Sequence, residues 1–285
     1  MKSEKAVRII KSIEISNAVE KLCADANYLL PADVLNSLKE NSGKEKGTAK
    51  DIFDEIIKNA EIAETEKIPL CQDTGSANFF IKIGKDVVIE DGDIYSGVNN
   101  GVAECYKKKY LRKSIVSDPL ERKNTGDNTP ANIYVDIVDG ENIEIIFLPK
   151  GGGSENASAL KMLEPSAGWD GVKDFVLNAV KEKGANACPP LIIGIGIGGD
   201  FASVGYLAKK SLLREIGSKN TNPYYEEKEK ELLAEINKLN IGAMGLGGNT
   251  AALAVFINTK PCHIASLPAA VNIQCHSCRR MTIKI

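Results

Sequence analysis

Three of the seven cysteines occupy positions where a packing residue would be out of place. Cys71 is followed by Gln72-Asp73-Thr74-Gly75, Cys188 by Pro189-Pro190, and Cys275 by His276-Ser277-Cys278. Cys71 and Cys188 sit in loops beside residues that restrict the backbone, and Cys275 makes a third, well-separated loop thiol. Thiolates presented in this way suit an iron–sulfur cluster better than a local zinc knuckle. Three is one short of the usual four ligands, and an iron without a protein ligand is an open Lewis acid. Such an iron can take a substrate carboxylate and hydroxyl, so the chemistry to expect is hydration or dehydration of a hydroxy acid. Cys23 and Cys105 instead fall inside helical patterns and read as small buried hydrophobes.

Other readings of the same residues stay open. Cys262-His263 with Cys275 and Cys278 could hold zinc, although adjacent ligands struggle to face one metal. A zinc-stapled binding or regulatory protein is therefore the rival of a different class. Gly194-x-Gly196-x-x-Gly199 formally matches a dinucleotide fingerprint after an apolar run. No second apolar strand follows at the required spacing, so close helix–strand packing explains these glycines better. Asp73 could bond a substrate hydroxyl or cap the turn at Gly75, and Arg112 could clamp a carboxylate or be a solvated helix-end charge. Lys150 to Asn156 could offer backbone N–H groups to an anion or be a flexible connection. His263 taken by itself reads as a satisfied core histidine.

The elements that would position these residues alternate along the chain. Helical spacing runs from Val7 to Val19, Pro31 opens a second helix closed by Gly43, and Thr48 to Ala63 makes a third. Ala77 to Ile83 predicts a strand, Asp93 to Leu111 a helix, and 112–130 a polar loop. Asn132 to Val138 and Asn142 to Leu148 flank Asp139-Gly140-Glu141, which predicts a hairpin. Helices are expected at Trp169 to Lys183, 201–216 and 223–239, and strands at Pro190 to Ile197 and Ala251 to Ile257. The fold class is α/β or mixed α+β, a helical N-terminal layer packed on a mixed β-sheet body. With 43 % hydrophobic and 26 % charged residues the chain can bury a sizeable core. A formal charge of −2 makes no general case for nucleic acid or an anionic membrane surface. The N-terminal segment lacks the apolar stretch of a leader, and no run is long enough to span a membrane, so a cytoplasmic protein with reduced thiols is expected.

Taken together, these motifs resemble the α subunit of two-subunit class I fumarate hydratase and L-tartrate dehydratase. The likeness rests on Ile68 to Gly75, Asp118-Pro119-Leu120 with Lys123 to Pro130, Lys150 to Asn156 and Cys188-Pro189-Pro190 with the glycines after it. It continues through Gly242 to Thr250, His263 and Cys275 to Arg280, in order along the chain. The resemblance implies one iron–sulfur hydro-lyase α-type catalytic domain over 1–285, mainly helical over 1–67 and cluster-bearing over 68–285. It implies a 4Fe–4S cluster on Cys71, Cys188 and Cys275 with one open iron. Gln72, Asp73, Arg112, a glycine of the 151–153 run (assigned to Gly152) and His263 would face a small dicarboxylate, with Asp73 and His263 catalytic. Cys262 and Cys278 are left as supporting or structural. The expected reaction is reversible hydration of fumarate to malate, as in the tricarboxylic acid cycle, with L-tartrate dehydration as the close rival. A separate β subunit would supply further active-site residues, in an α₂β₂ assembly, with neither nucleic acid nor membrane as a partner.

Overall fold

In the computed structural model, which describes residues 7–285, Arg8–Lys11 forms a short strand, β1, ahead of helix α1 (Ser12–Tyr28). The first six residues, the start of the segment read above for a leader, lie outside the described residues. The helical spacing seen from Val7 thus takes effect only at Ser12. The β-branched pair Ile9-Ile10 goes instead to β1, which pairs in parallel with β3 (Val87–Glu90), a partner that local spacing does not reveal. The chain is mixed α/β, and its elements group into two compact units.

The first unit comprises the chain up to Leu30, Ile62–Lys150 and Arg279–Ile285. Its four-stranded sheet has the order β10 (Met281–Lys284), β5 (Ile143–Lys150), β2 (Ser76–Gly84), β4 (Asn132–Val138). Helix α4 (Ile94–Lys108) starts where the Asp93 carboxylate accepts hydrogen bonds from the N–H groups of Tyr95 and Ser96, at 2.7 and 2.9 Å. Helices α1 and α4 share one core with the sheet, through Val19, Leu22, Val98, Val102, Phe79 and Phe147. Cys23 and Cys105 are fully buried in that core, as their helical positions predict. Burial, with a hydrogen bond to Cys105, pushes the Cys23 thiol well above its usual range, so it stays protonated.

The predicted hairpin is overturned. Both strands exist, but β2 lies between them, parallel to β4 and antiparallel to β5. The 139–142 connection therefore crosses the end of β2 instead of making a tight turn. Gly84 N–H donates to Asn142 O and Lys85 N–H to Val138 O, at 2.9 and 2.8 Å. A Cβ on Gly84 would stand 2.3 Å from Gly140 O, so the missing side chain is what lets the crossing approach this closely.

The second unit comprises Pro31–Glu61 and Gly151–Cys278. It holds α2 (Ala32–Ser42), most of α3 (Gly47–Glu66), and the one-turn helix α5 (Gly152–Asn156). Beyond them come β6 (Ala159–Leu163), α6 (Gly168–Lys183), β7 (Leu191–Gly198), α7 (Phe201–Ser211), α8 (Pro223–Asn237), β8 (Ala252–Lys260) and β9 (Leu267–Gln274). The sheet order is β6-β9-β7-β8, with only β7 and β8 parallel. Strand β7 alternates Ile193, Ile195 and Ile197 with Gly194 and Gly196. The isoleucines join the core formed with α6 and α8. On the opposite face α7 comes so near that a Cβ at Gly194 or Gly196 would meet helix carbonyls at 2.3 Å. Packing thus accounts for the first two glycines of the apparent fingerprint. Among the described residues, no helix is long and apolar enough to cross a membrane.

Candidate active site

The Cys71 loop lies in the first unit and is held from beneath by buried polar side chains. Leu70 N–H donates to Asn27 O at 2.8 Å, and Arg279 Nη2 donates to Asp73 O at 3.0 Å. The Tyr106 hydroxyl donates to Thr74 O and Gly75 O at 3.1 and 3.3 Å, and Asn128 Nδ2 to Gly75 O at 3.1 Å. Burial drives the Tyr106 phenol far above its ordinary value, which keeps it a donor at every working pH. Gly75 turns the chain into β2 at φ +77°, where a Cβ would stand 2.7 Å from the Lys150 backbone. Arg279, Asn27 and Tyr106 were not singled out from sequence. Each is distant from the loop in the chain, and no local pattern marks its role.

These struts leave Cys71 and Asp73 half-buried and Gln72 exposed. The Asp73 Oδ1 accepts the Gly75 N–H at 3.0 Å, so the turn-capping role is present in the fold. The Thr74 hydroxyl donates to Arg112 O at 3.0 Å, which brings the Arg112 backbone beside the same loop. The Arg112 side chain is exposed and has no hydrogen-bonded or ionic partner among the described residues. Removing the Tyr106 hydroxyl tests the loop's support. Tyr106→Phe leaves Thr74 O without its buried donor and should lower unfolding free energy by about 1–3 kcal/mol, read from urea midpoints.

Cys188 and Cys275 lie in the second unit. Cys188 is exposed and left-handed, with φ 53° and ψ 64°, a conformation costing a side-chain-bearing residue roughly 1–2 kcal/mol relative to the right-handed region. Its carbonyl accepts from the His276 backbone N–H at 3.3 Å and faces His276 Nδ1 at 3.0 Å. A carbonyl only accepts, so His276 carries its proton on Nδ1. His276 therefore joins the Cys188 loop to the half-buried Cys275 at the end of β9.

His263 lies on the exposed 261–266 loop between β8 and β9, which overturns its reading as a core histidine. Its Nδ1 accepts from Ala265 N–H at 3.1 Å, which places the neutral ring's proton on Nε2. Gly152 is exposed within α5, which is tied to β9 by Asn272 Nδ2 donating to Glu155 at 3.0 Å and Ile273 N–H donating to Ser158 Oγ at 3.0 Å.

Burial separates the cysteines into two sets. Cys23, Cys105 and Cys278 are buried, whereas Cys71, Cys188, Cys262 and Cys275 reach the surface in whole or part. No disulfide joins any of them. Cys262 donates its thiol proton to Ser266 O at 3.3 Å. Among the described residues no three His, Cys, Asp or Glu side chains are gathered into a metal-binding group. The donor chemistry nonetheless fits a cluster. Cys71, Cys188 and Cys275 are soft sulfur donors on loops, and three orphaned buried groups stand near Cys275 in the chain, Asn272 Oδ1, the Gln274 amide and Arg279 Nε.

The fumarate hydratase (fumerase) family model matches residues 16–284. The chain belongs to that family. Its similarity to curated proteins runs the same length. It is 45 % identical over 280 residues to a Methanocaldococcus jannaschii protein provisionally named L(+)-tartrate dehydratase subunit alpha, covering 96 % of this chain and 98 % of the relative. It is 34 % identical over 277 residues to the L(+)-tartrate dehydratase subunit alpha of Escherichia coli, covering 95 % of this chain and 91 % of the relative. The subunit of the same name in Shigella sonnei is 33 % identical over 276 residues, with the same coverage.

Proposed function

We propose that this chain is the cluster-bearing α subunit of an iron–sulfur hydro-lyase that dehydrates a 2-hydroxy dicarboxylate, with L-tartrate ahead of malate as substrate. Sequence motifs alone placed fumarate hydration first, and the names of the relatives reverse that order. Fumarate hydration stays as the second reading because the family model carries that name. The observation that carries the proposal is the exposure of Cys188 in a left-handed backbone, together with the accessible thiols of Cys71 and Cys275. A residue held at positive φ persists where surrounding structure and use outweigh its strain.

Cys71, Cys188 and Cys275 would hold a 4Fe–4S cluster. When bound, it supplies Lewis acidity at the iron that lacks a cysteine, polarising a substrate hydroxyl toward departure as water. Arg112 supplies a planar guanidinium that pairs bidentately with a carboxylate, and Gln72 adds an exposed amide next to Cys71. Asp73 keeps one carboxylate oxygen on the Gly75 N–H, which fixes its orientation beside the ligand cysteine. His263 can hydrogen-bond the leaving oxygen through its Nε2–H, with Nδ1 held by the Ala265 N–H. Gly152 lets a dicarboxylate approach the backbone without a side chain in the way. The relatives' designation as alpha subunits supports a separate β subunit, in an α₂β₂ complex, as the source of the base for the carbon-bound proton.

The test is anaerobic co-expression with the β subunit, iron and sulfide analysis, and assays on both substrates. Iron and sulfide in equal amounts, with oxaloacetate formed from L-tartrate faster than malate from fumarate, is the expected result. A colourless protein with stoichiometric zinc would overturn the hydro-lyase reading, and faster fumarate turnover would restore the second one. Arg112→Lys keeps charge but loses the fork, and should lower kcat/KM roughly 10- to 100-fold, about 1.4–2.8 kcal/mol of carboxylate recognition.

A further inference from the structure

Arg279 is among the largest side chains buried almost completely, at 1 % exposure. Its Nη1 donates to Asn27 Oδ1 at 2.9 Å and its Nη2 to Asp73 O at 3.0 Å, while Nε has no partner. Both acceptors are neutral, and no carboxylate pairs with the guanidinium among the described residues. Arginine cannot escape this by losing its proton. A buried, unpaired charge costs several kcal/mol, so the arrangement is stable only if an anion balances it or the fold carries the deficit.

The geometry shows where such an anion would be. Asn27 is fully buried and its Nδ2 is committed to Cys23 O, which turns Oδ1 to the guanidinium. The same residue's carbonyl takes the Leu70 N–H. The Arg279–Asn27 pair thus grips the backbone at Leu70 and at Asp73, and the one thiol between those two points is Cys71. The buried Arg279 guanidinium is thus bonded to the backbone of a loop whose cysteine is itself half-buried.

We propose that Arg279 is a positioning residue and the built-in counter-charge of the Cys71 loop, holding Leu70 to Asp73 in place and offsetting the negative charge of a thiolate-bound cluster. This rests on the cluster assignment above. A 4Fe–4S centre with three thiolates is net negative in its resting state, and nearby charge is one of the terms that set its reduction potential. Removing a fixed positive charge disfavours adding an electron, so the midpoint potential must fall.

The experiment compares the anaerobically purified α–β complex carrying Arg279→Gln, Arg279→Lys or no change. It measures iron and sulfide content, the midpoint potential by EPR-monitored titration, and urea unfolding. R279Q should shift the potential downward and lose iron faster to a chelator, while R279K should keep a potential near that of the unchanged complex. An R279Q complex with unaltered potential and iron retention would overturn the inference. Should R279Q fail to fold, R279K decides: an unaltered potential supports the counter-charge, and a downward shift refutes it. An unchanged complex without iron and sulfide would remove the cluster assignment and this inference with it, whereas a loaded one beside an indifferent R279Q removes this inference alone.

Discussion

Replacing Cys71, Cys188 or Cys275 singly by serine is expected to remove the brown chromophore and about three powers of ten or more in turnover. The size follows from the role. Lewis-acid stabilisation is worth several kcal/mol, and each 1.36 kcal/mol is roughly tenfold in rate. None of the three belongs to the hydrophobic cores, so each variant should fold, and the loss should be of cluster rather than of protein. The informative control is Cys262→Ser. That thiol is exposed, like Cys188, but is spent on the Ser266 carbonyl, and its loss should leave iron and sulfide unchanged. Cys23→Ser should also keep the cluster, at a cost of about 1–2 kcal/mol for placing a hydroxyl in the core. An intact cluster in any of the three ligand variants, or its absence from Cys262→Ser, would sink the assignment.

The second large effect concerns stability. Gly194→Val should destabilise the chain by about 3 kcal/mol or more, or prevent soluble expression, because the new side chain has nowhere to go. Its Cβ alone would stand 2.3 Å from Ala208 O and 2.5 Å from Ser211 Oγ. A helix backbone cannot yield as a flexible side chain does, and a domain's whole stability is only about 5–15 kcal/mol. Gly205, on α7 itself, is the matched contrast. A Cβ there meets only Leu160 Cδ1, at 3.9 Å, and Gly205→Ala should stabilise by about 0.5–1 kcal/mol through helix propensity. Urea midpoints of the pair separate packing glycines from incidental ones. Equal stability of Gly194→Val and the unchanged chain would contradict the close approach of α7 to β7.

The same strand shows how far sequence reading reaches. Its glycine-interrupted apolar run was legible as a buried strand, and the sceptical reading of Gly194-x-Gly196-x-x-Gly199 agrees with two of its glycines serving α7. Strand β9 was not legible, although it lies between β6 and β7 in the sheet. Pro268 near its start and Asn272 and Gln274 near its end break any apolar pattern. Glu155 and Ser158 Oγ receive the Asn272 Nδ2, whereas the Asn272 Oδ1 and the Gln274 amide are buried without a hydrogen-bond partner among the described residues. The hairpin failed for a related reason. Asp139-Gly140 carries a strong local turn signal, and nothing local announces that β2, some fifty residues earlier, will insert between the two strands.

The sequence by itself determined the placement of the thiols: which sit on loops and which sit on helix faces. Those properties are local, set by neighbouring residues and by periodicities of 3.6 and 2. Tertiary structure decided what those donors rest on. Arg279, Asn27, Tyr106 and Asn128 meet the Cys71 loop only after 252 residues of separation between Arg279 and Asn27 have been closed. It also decided the tautomers, setting His263 Nδ1 against Ala265 N–H and His276 Nδ1 against the Cys188 carbonyl. Contacts of that kind arise when burial forces distant polar groups to satisfy one another, a condition that no window of sequence contains.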